Sequence, residues 1–319
     1  MRPVSITNHR KLIRAAVYAT ALCNPLIICG HAYGEEQATP AIGQVPRPDH
    51  IVIVIEENKS YGQIIGNKAA KYLNQLARDG ALFDNSFAIT HPSQPNYLAL
   101  FSGSTHDVTN NECPVNVTGD NLANELRKKG LSFGIYAEAM PSVGYEGCFA
   151  ANHLYARKHN PAVNWQGKNL PPDENMPFDM FPSDFSKLPT VSMVIPNQIN
   201  NMHDGRTISE KITRGDVWLS NNLNSYVRWA QRHNSLLIIT WDEDDGWSNN
   251  HIPTIFAGPM TKAGTYHERI DHYDVLRTIE DMYRLSPMGN TVNAVPIRNI
   301  WHPVKQDALS YTLKHSENR

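Results

Sequence analysis

The sequence predicts an α/β fold: a doubly wound, mainly parallel sheet with helices on both faces, built as a single domain. Three observations carry that expectation. Short runs of Val, Ile, Leu and Phe recur along the chain, continuous rather than alternating, as in strands covered on both faces. Stretches of helical period lie between them, two of them stopped by glycine. Strand and helix therefore alternate, and 319 residues with 41 % hydrophobic content can close around one sheet.

The strands are expected in "HIVIVIEEN" from His50, "ALFDNSFAI" from Ala81, "LSFGIYAEA" from Leu131, "TVSMVIPN" from Thr190 and "SLLIITWDEDD" from Ser235, with "IPTIFAGP" from Ile252 as a sixth. The helical patterns are "NKAAKYLNQLARDG", "NLANELRKKG", "DVWLSNNLNSYVRWAQRH" and "HYDVLRTIEDMYRL". Residues 141–189 are rich in Pro, Asn and Asp with weak periodicity, and are expected as an insertion or lid within a domain spanning 50–303. Residues 304–319 form a short C-terminal tail.

The first residues have a different character. Arg2, Arg10, Lys11 and Arg14 occur with no acid, then an apolar run leads to small residues at Gly30 and Ala32. This is the pattern of a secretory signal peptide over 1–32, followed by a Pro- and Gly-punctuated leader over 33–49. The alternative, an uncleaved anchor helix, needs about 20 apolar residues, and the run is shorter. The expectation is a bacterial-type export signal, a secreted or periplasmic protein, and no stable membrane anchor after cleavage. Cys23 and Cys29 would leave with the signal, and the remaining pair, Cys113 and Cys148, is expected as one disulfide. A net charge of −2 supplies no basic surface for a phosphate backbone, which argues against a nucleic-acid partner.

Ligands of doubly wound sheets collect at the carboxyl ends of the strands. Here those ends deliver Glu56, Glu57 and Asn58; then Thr90, His91 and Ser93; then Asn197, Asn200, Asn201, His203 and Asp204; then Asp242, Glu243, Asp244 and Asp245, followed by His251. Together they are the ingredients of a metal-assisted catalytic site. Two readings of Ser93 stand at this point. It is a nucleophile at a helix N-terminus, where unpaired N–H groups favour an anion, or it is only an N-cap. No G-x-S-x-G elbow, phosphate-binding loop or H-E-x-x-H motif is present, so metal coordination is the remaining way to activate such a serine. The acidic tip is oxygen-rich, which suits Mg, Ca or Mn, and an added imidazole opens the site to Zn or Fe.

These residues together resemble the alkaline-phosphatase superfamily. Within it, the blocks "VIEENKSYGQIIGN", "THPSQPNYLALFSGSTHDVT", "VIPNQINNMHDG", "GDVWLSNNL", "TWDEDDGWSNNHIPTIFAGP" and "YDVLRTIEDMY" are similar, in order, to a bacterial secreted phosphoesterase family of acid phosphatases, phosphatidylinositol 3-phosphatases and phospholipases C. The resemblance implies an alkaline-phosphatase-like fold and a divalent metal held by Glu57, Asn58, Ser93, Asp244, Asp245 and His251. It implies Ser93 as the nucleophile of a phosphoserine intermediate, assisted by His203 and His251, with Asn96, Asn201 and Asp204 toward the substrate. Asp242 and Glu243 are expected to shape the turn. The family often has Asp where this chain has Asn201, which puts one ligand in doubt. The expected activity is an exported, metal-dependent phosphomonoesterase of acid-phosphatase type acting on a small phosphorylated substrate, a phosphoinositide among the options. The alternatives are a phospholipase C-type phosphodiesterase and a non-catalytic phosphate- or lipid-binding protein. The short tail after the last helix favours the monoesterase.

Overall fold

The computed structural model describes residues 45–303. The expected signal peptide, most of the leader, Cys23, Cys29 and the tail lie outside the described residues. The long apolar runs form the strands β1 (His50–Glu56), β2 (Ala81–Phe87), β3 (Phe133–Ala137), β7 (Val191–Ile195), β8 (Ser235–Trp241) and β9 (His251–Ala257). Five short strands complete the set: β4 (Phe149–Ala150), β5 (Tyr155–Ala156), β6 (Asn175–Pro177), β10 (Gly264–Tyr266) and β11 (Ile270–Asp271). Nine strands make one sheet in the order β10-β2-β9-β8-β1-β7-β3-β6, with β11 also on β2, while β4 and β5 pair by themselves. The block from β8 to β6 is parallel; β9 runs antiparallel to both its neighbours, so the sheet is mixed at one side.

Helices cover both faces, as the uninterrupted apolar strands require. Ile51, Ile53 and Ile55 point into a core with α3 (Ser93–Ser102), α4 (Leu122–Lys128) and α6 (His272–Tyr283), through Leu98, Leu126 and Ile279. Val52 and Val54 point into the opposite core with α2 (Lys71–Asp79) and α5 (Ile208–Ala230), through Leu73, Trp218 and Leu223. A short α1 (Tyr61–Ile64) follows β1. α5 starts one turn and more before its apolar pattern, because the Thr207 hydroxyl accepts from Glu210 N at 3.1 Å and caps it. α3 ends at Gly103, whose φ of +72° and a would-be Cβ only 2.1 Å from Met288 O leave no room for another residue. Among the described residues, no helix is long and apolar enough to cross a membrane.

The period-2 alternation that builds these cores also places the chemistry. β1 and β8 are parallel neighbours in register from His50↔Ser235 to Glu56↔Trp241. The next residues, Glu57 and Asp242, therefore emerge side by side at the carboxyl edge, where Asp242 N donates to Glu56 O at 3.0 Å. The segment 141–189 is woven into this frame. β6 extends the sheet beside β3, and Tyr155, Ala162 and Trp165 are buried in the α3 core. Cys113 and Cys148 are bonded, closing a loop of sequence separation 35. Loop closure of that length stabilises by roughly 3–4 kcal/mol on a chain-entropy account.

One buried acid lies far from the carboxyl edge. Glu280 of α6 accepts from Met288 N at 3.0 Å and the Thr291 hydroxyl at 2.9 Å, fastening the segment after α6. Burial pushes its carboxyl up to about 7. A carboxyl raised in the folded state favours the proton-bound form, so its contribution is full below the unfolded value near 4.5 and is lost as pH rises through about 7. Glu280→Gln keeps the acceptor and removes the charge. Its melting temperature is expected to exceed wild type above pH 7, with the gap closing toward pH 5, measured by calorimetry; a constant gap across that range contradicts the assignment.

Candidate active site

Ser93 is the first residue of α3 and is buried. The cap position is Pro92, with no side-chain cap, so the N-cap reading of Ser93 falls. Its Oγ instead lies 3.2 Å from Glu57 Oε2 and 3.2 Å from Glu243 Oε1, two carboxylates from different strand ends. Asn96 explains how Ser93 is held there. Its Oδ1 accepts from Ile89 N and Thr90 N at 3.0 Å each, and its Nδ2 donates to Thr90 O and Pro92 O. All of these bonds serve the loop before α3, so Asn96, expected toward the substrate, staples the loop that leads into Ser93. On the other side Gln94 is clasped by Asn110 O, Glu112 O and Asn111 Oδ1, just ahead of the disulfide at Cys113.

Glu57 is fully buried and has further neighbours besides Ser93. The Tyr97 hydroxyl donates to its Oε1, His159 Nε2 stands 3.1 Å from the same oxygen, and its backbone N donates to Asn201 O at 2.8 Å. Burial works against its charge, but His159, Lys158 and His203 outweigh it and hold the carboxyl down at about 2. His159 stacks on Tyr97 with centroids 5.2 Å apart, and burial lowers its imidazole, opposed by the Glu57 carboxylate. Asp242 and Glu243 behave oppositely. Burial and the charges of Glu57 and Glu243 push Asp242 well above its ordinary value; burial, opposed by His91 and reinforced by Glu57, raises Glu243. Glu56, one residue earlier, faces the α5 core, where burial raises it well above its ordinary value and its carboxyl has no hydrogen-bond partner among the described residues.

The structure divides the acidic run differently from the expectation. Asp242 Oδ1 accepts from Asn58 N at 3.1 Å and Glu243 Oε1 from Asn58 Nδ2 at 2.6 Å, so these two acids, not their successors, join the Ser93 cluster. Asp244 accepts from Gly246 N, Ser248 N and Asn250 N, and Asp245 from Gln63 Nε2, Trp247 N and the Ser248 hydroxyl. Both expected ligands thus organise the loop after β8. His91 links the halves, with Nδ1 2.6 Å from Glu243 and Nε2 3.2 Å from Asp244. His251 is not brought to Ser93. As the first residue of β9 it pairs with Phe87, its Nε2 bonds Asp84 O at 2.8 Å, and its ring stacks on Tyr61 and Phe87. Asn201 accepts from His203 N at 2.9 Å, and Asp204 orients the His203 ring at 2.7 Å.

A cavity of about 520 Å³ opens beside the cluster, lined by Asn58, Lys59, His91, His203, Lys211 and Glu243 among others. Lys59 is 4 % exposed, and its Nζ donates to Glu57 O, Asn58 O and Met202 O. Burial and the neighbouring Lys211 lower it to about 8. Tyr97, His159 and Lys59 are the residues that sequence reading passes over. Tyr97 had a signal, four residues after Ser93 and so on the same helix face. His159 had none, since it comes from the weakly patterned insertion.

Among the described residues no three His, Cys, Asp or Glu form a ready-made metal cage. The donor chemistry nevertheless suits a hard divalent cation. Three carboxylates and a hydroxyl meet in a buried place, and Asp242 Oδ2 has no hydrogen-bond partner there.

The sheet, with its cluster at the carboxyl edge, has the alkaline-phosphatase type of fold. A solved protein of the alkaline phosphatase superfamily from Vibrio parahaemolyticus superposes with a TM-score of 0.54 at 12 % identity, over 84 % of this chain and 75 % of that one. Residues 67–286 match the model of the Phosphoesterase family, and the chain belongs to that family. It is 49 % identical to a phosphatidylinositol-3-phosphatase of Mycobacterium tuberculosis, over 83 % of this chain and 88 % of that protein. It is 32 % identical to an acid phosphatase of Aspergillus fumigatus, over 73 % of this chain but only 54 % of the fungal one, so it spans about half that relative's length. The chain is a phosphoric monoester hydrolase.

Tyr97→Phe removes one donor to a charged, buried acceptor, a bond worth roughly 1.5–3 kcal/mol. The variant is expected to keep its circular dichroism spectrum and lose about 10- to 100-fold in kcat. Full activity would show that the Glu57 carboxylate needs no such support.

Proposed function

We propose that the protein is an exported, metal-dependent phosphomonoesterase in which Ser93 is the nucleophile. The observation that carries this reading is the Ser93 hydroxyl at the start of α3, within 3.2 Å of both Glu57 and Glu243. A divalent cation, held by Glu57, Asp242, Glu243 and the Ser93 oxygen with Asn58 beside them, would lower the hydroxyl's pKa and neutralise charge on the phosphoryl group. Ser93 Oγ forms a bond to phosphorus as the ester oxygen leaves, and its proton passes to Glu57 or Glu243. The leaving oxygen takes a proton from a cavity imidazole, with His203 and His91 as the available groups. Water then cleaves the phosphoserine and regenerates the serine. Lys211 and His203 line the cavity opposite the carboxylates and supply N–H donors that can reach phosphoryl oxygens. The relatives' names support phosphate monoesters, including an inositol lipid headgroup, as the substrate class.

Hydrolysis of p-nitrophenyl phosphate but not bis-p-nitrophenyl phosphate, abolished by chelator and restored by a divalent salt, is the expected result. Preference for the diester would favour the phospholipase C-type alternative. Ser93→Ala is expected to fold and to lose on the order of 10⁴ or more in kcat. A Ser93→Ala enzyme that retains turnover removes the nucleophile from this scheme.

A further inference from the structure

Three consecutive carbonyls of the loop after β7 each receive a donor from outside the loop. Asn201 O accepts from Glu57 N at 2.8 Å, Met202 O from Lys59 Nζ at 2.8 Å and His203 O from Lys211 Nζ at 2.7 Å. In an extended chain successive carbonyls point to opposite sides. Met202 breaks that alternation, with a φ of +74° that a long side chain rarely adopts. Such a backbone persists where its surroundings over-determine it, and it concentrates at functional sites. Asn58, at the end of β1, is left-handed too, with a φ of +49°. Lys59 Nζ joins the two turns, since it also donates to Asn58 O at 2.9 Å. Met202 is seated from behind as well. A helix residue is worse as Gly than as Ala by roughly 1 kcal/mol. Yet α5 carries Gly215, where a Cβ would stand 2.6 Å from Met202 Cγ and Cε and 3.0 Å from Asn200 O.

The two sides that Lys59 joins are not equally held. On the β1 side, Glu57 has Tyr97 and His159, and Asn58 has Asp242 and Glu243. On the other side is His203, which lines the cavity and uses Nδ1 on Asp204 at 2.7 Å. Its Nε2 remains for a substrate oxygen. His91, the other imidazole of the cavity, has Nδ1 on Glu243 and Nε2 on Asp244. The placement of His203 therefore depends on the carbonyl ties of its loop. Lys59 is buried and donates to carbonyls, so it acts on the site through the backbone it holds.

We infer that Lys59 is a positioning residue for catalysis. Its ammonium is a built-in cation between the Glu57–Asn58 turn and Met202, and it sets where His203 Nε2 stands relative to the ester oxygen of a phosphate held at Ser93. This rests on the phosphomonoesterase reading above and adds what fixes the leaving-group side of the site. An alkyl phosphate needs a proton on its leaving oxygen, whereas p-nitrophenolate leaves without one. Lys59→Met keeps the apolar stem and removes the donors. Its kcat/KM, which reports the steps through phosphoserine formation, is expected to fall about 100-fold on glycerol phosphate and about tenfold or less on p-nitrophenyl phosphate, as a displaced acid implies. Its manganese affinity, measured by titration calorimetry, is expected to match wild type, because Glu57 and Asn58 keep their other bonds. Gly215→Ala crowds Met202 without touching a charge, and is expected to fold and to show the same split between the two esters. It decides the matter if Lys59→Met does not fold. Equal losses on the two esters, or none, in either folded variant would overturn the inference. Lost manganese binding in Lys59→Met would also overturn it, placing the effect on the Glu57–Asn58 turn instead. A wild-type enzyme inactive on both esters would overturn the proposed function, and this inference with it.

Discussion

Like charges forced together at the joint edge of β1 and β8 are the constraint around which the site is built. The parallel register leaves no choice: Glu57 and Asp242 must leave the sheet as neighbours, and both are buried. Glu243 then closes on the same serine. Three uncompensated carboxylates cannot all remain ionised in such a place, because each raises the cost of the others' charge on top of the desolvation each already bears. Glu57 is held below its ordinary value by the imidazoles and lysine around it, while burial and the neighbouring acids push Asp242 above its own.

The surrounding structure reads as compensation for that edge. Tyr97 and Ser93 point hydroxyls at Glu57, Asn58 gives one donor to each acid of the next strand, and His91 spans Glu243 and Asp244. Lys59 brings a buried positive charge without approaching the carboxylates as an ion pair. Its ammonium is spent on three backbone carbonyls, two from the Glu57–Asn58 turn and one from Met202, so it ties the β1 edge to the His203 loop. A cation bound among Glu57, Asp242 and Glu243 would complete this balance more directly than any of these donors.

Much of the frame was legible because buried strands and amphipathic helices leave periodic traces. All six apolar runs became strands, and Ser93 and Glu57 stand where strand ends met a helix start. The division of the acidic run was legible too, through a signal left unused. Alternation along β8 puts Leu236 and Ile238 in the α3 core, so Asp242 continues on that face, toward Ser93. Asp244 and Asp245 lie beyond the strand, where no period applies and Asx-type bonding to the loop's own N–H groups wins. His251 stands apart from Ser93 for a related reason. Proximity in sequence to the acidic run suggested a shared site, but a strand's first residue is aimed by its pairing, and β9 pairs with β2.

The insertion at 141–189 shows what no local pattern can reveal. Its regular elements are short 3₁₀ turns and three short strands, yet it delivers His159 against Glu57, an edge strand beside β3, and one half of the disulfide. The other half, Cys113, adjoins the residues that clasp Gln94 next to Ser93. A segment with little regular structure of its own is therefore fixed at three points, each of which meets the site or its support. Its periodicity is weak because its place is set by these tertiary contacts rather than by one buried face. The edge that carries Glu57 belongs to the sheet, but the imidazole that stands against its carboxylate, His159, belongs to the insertion.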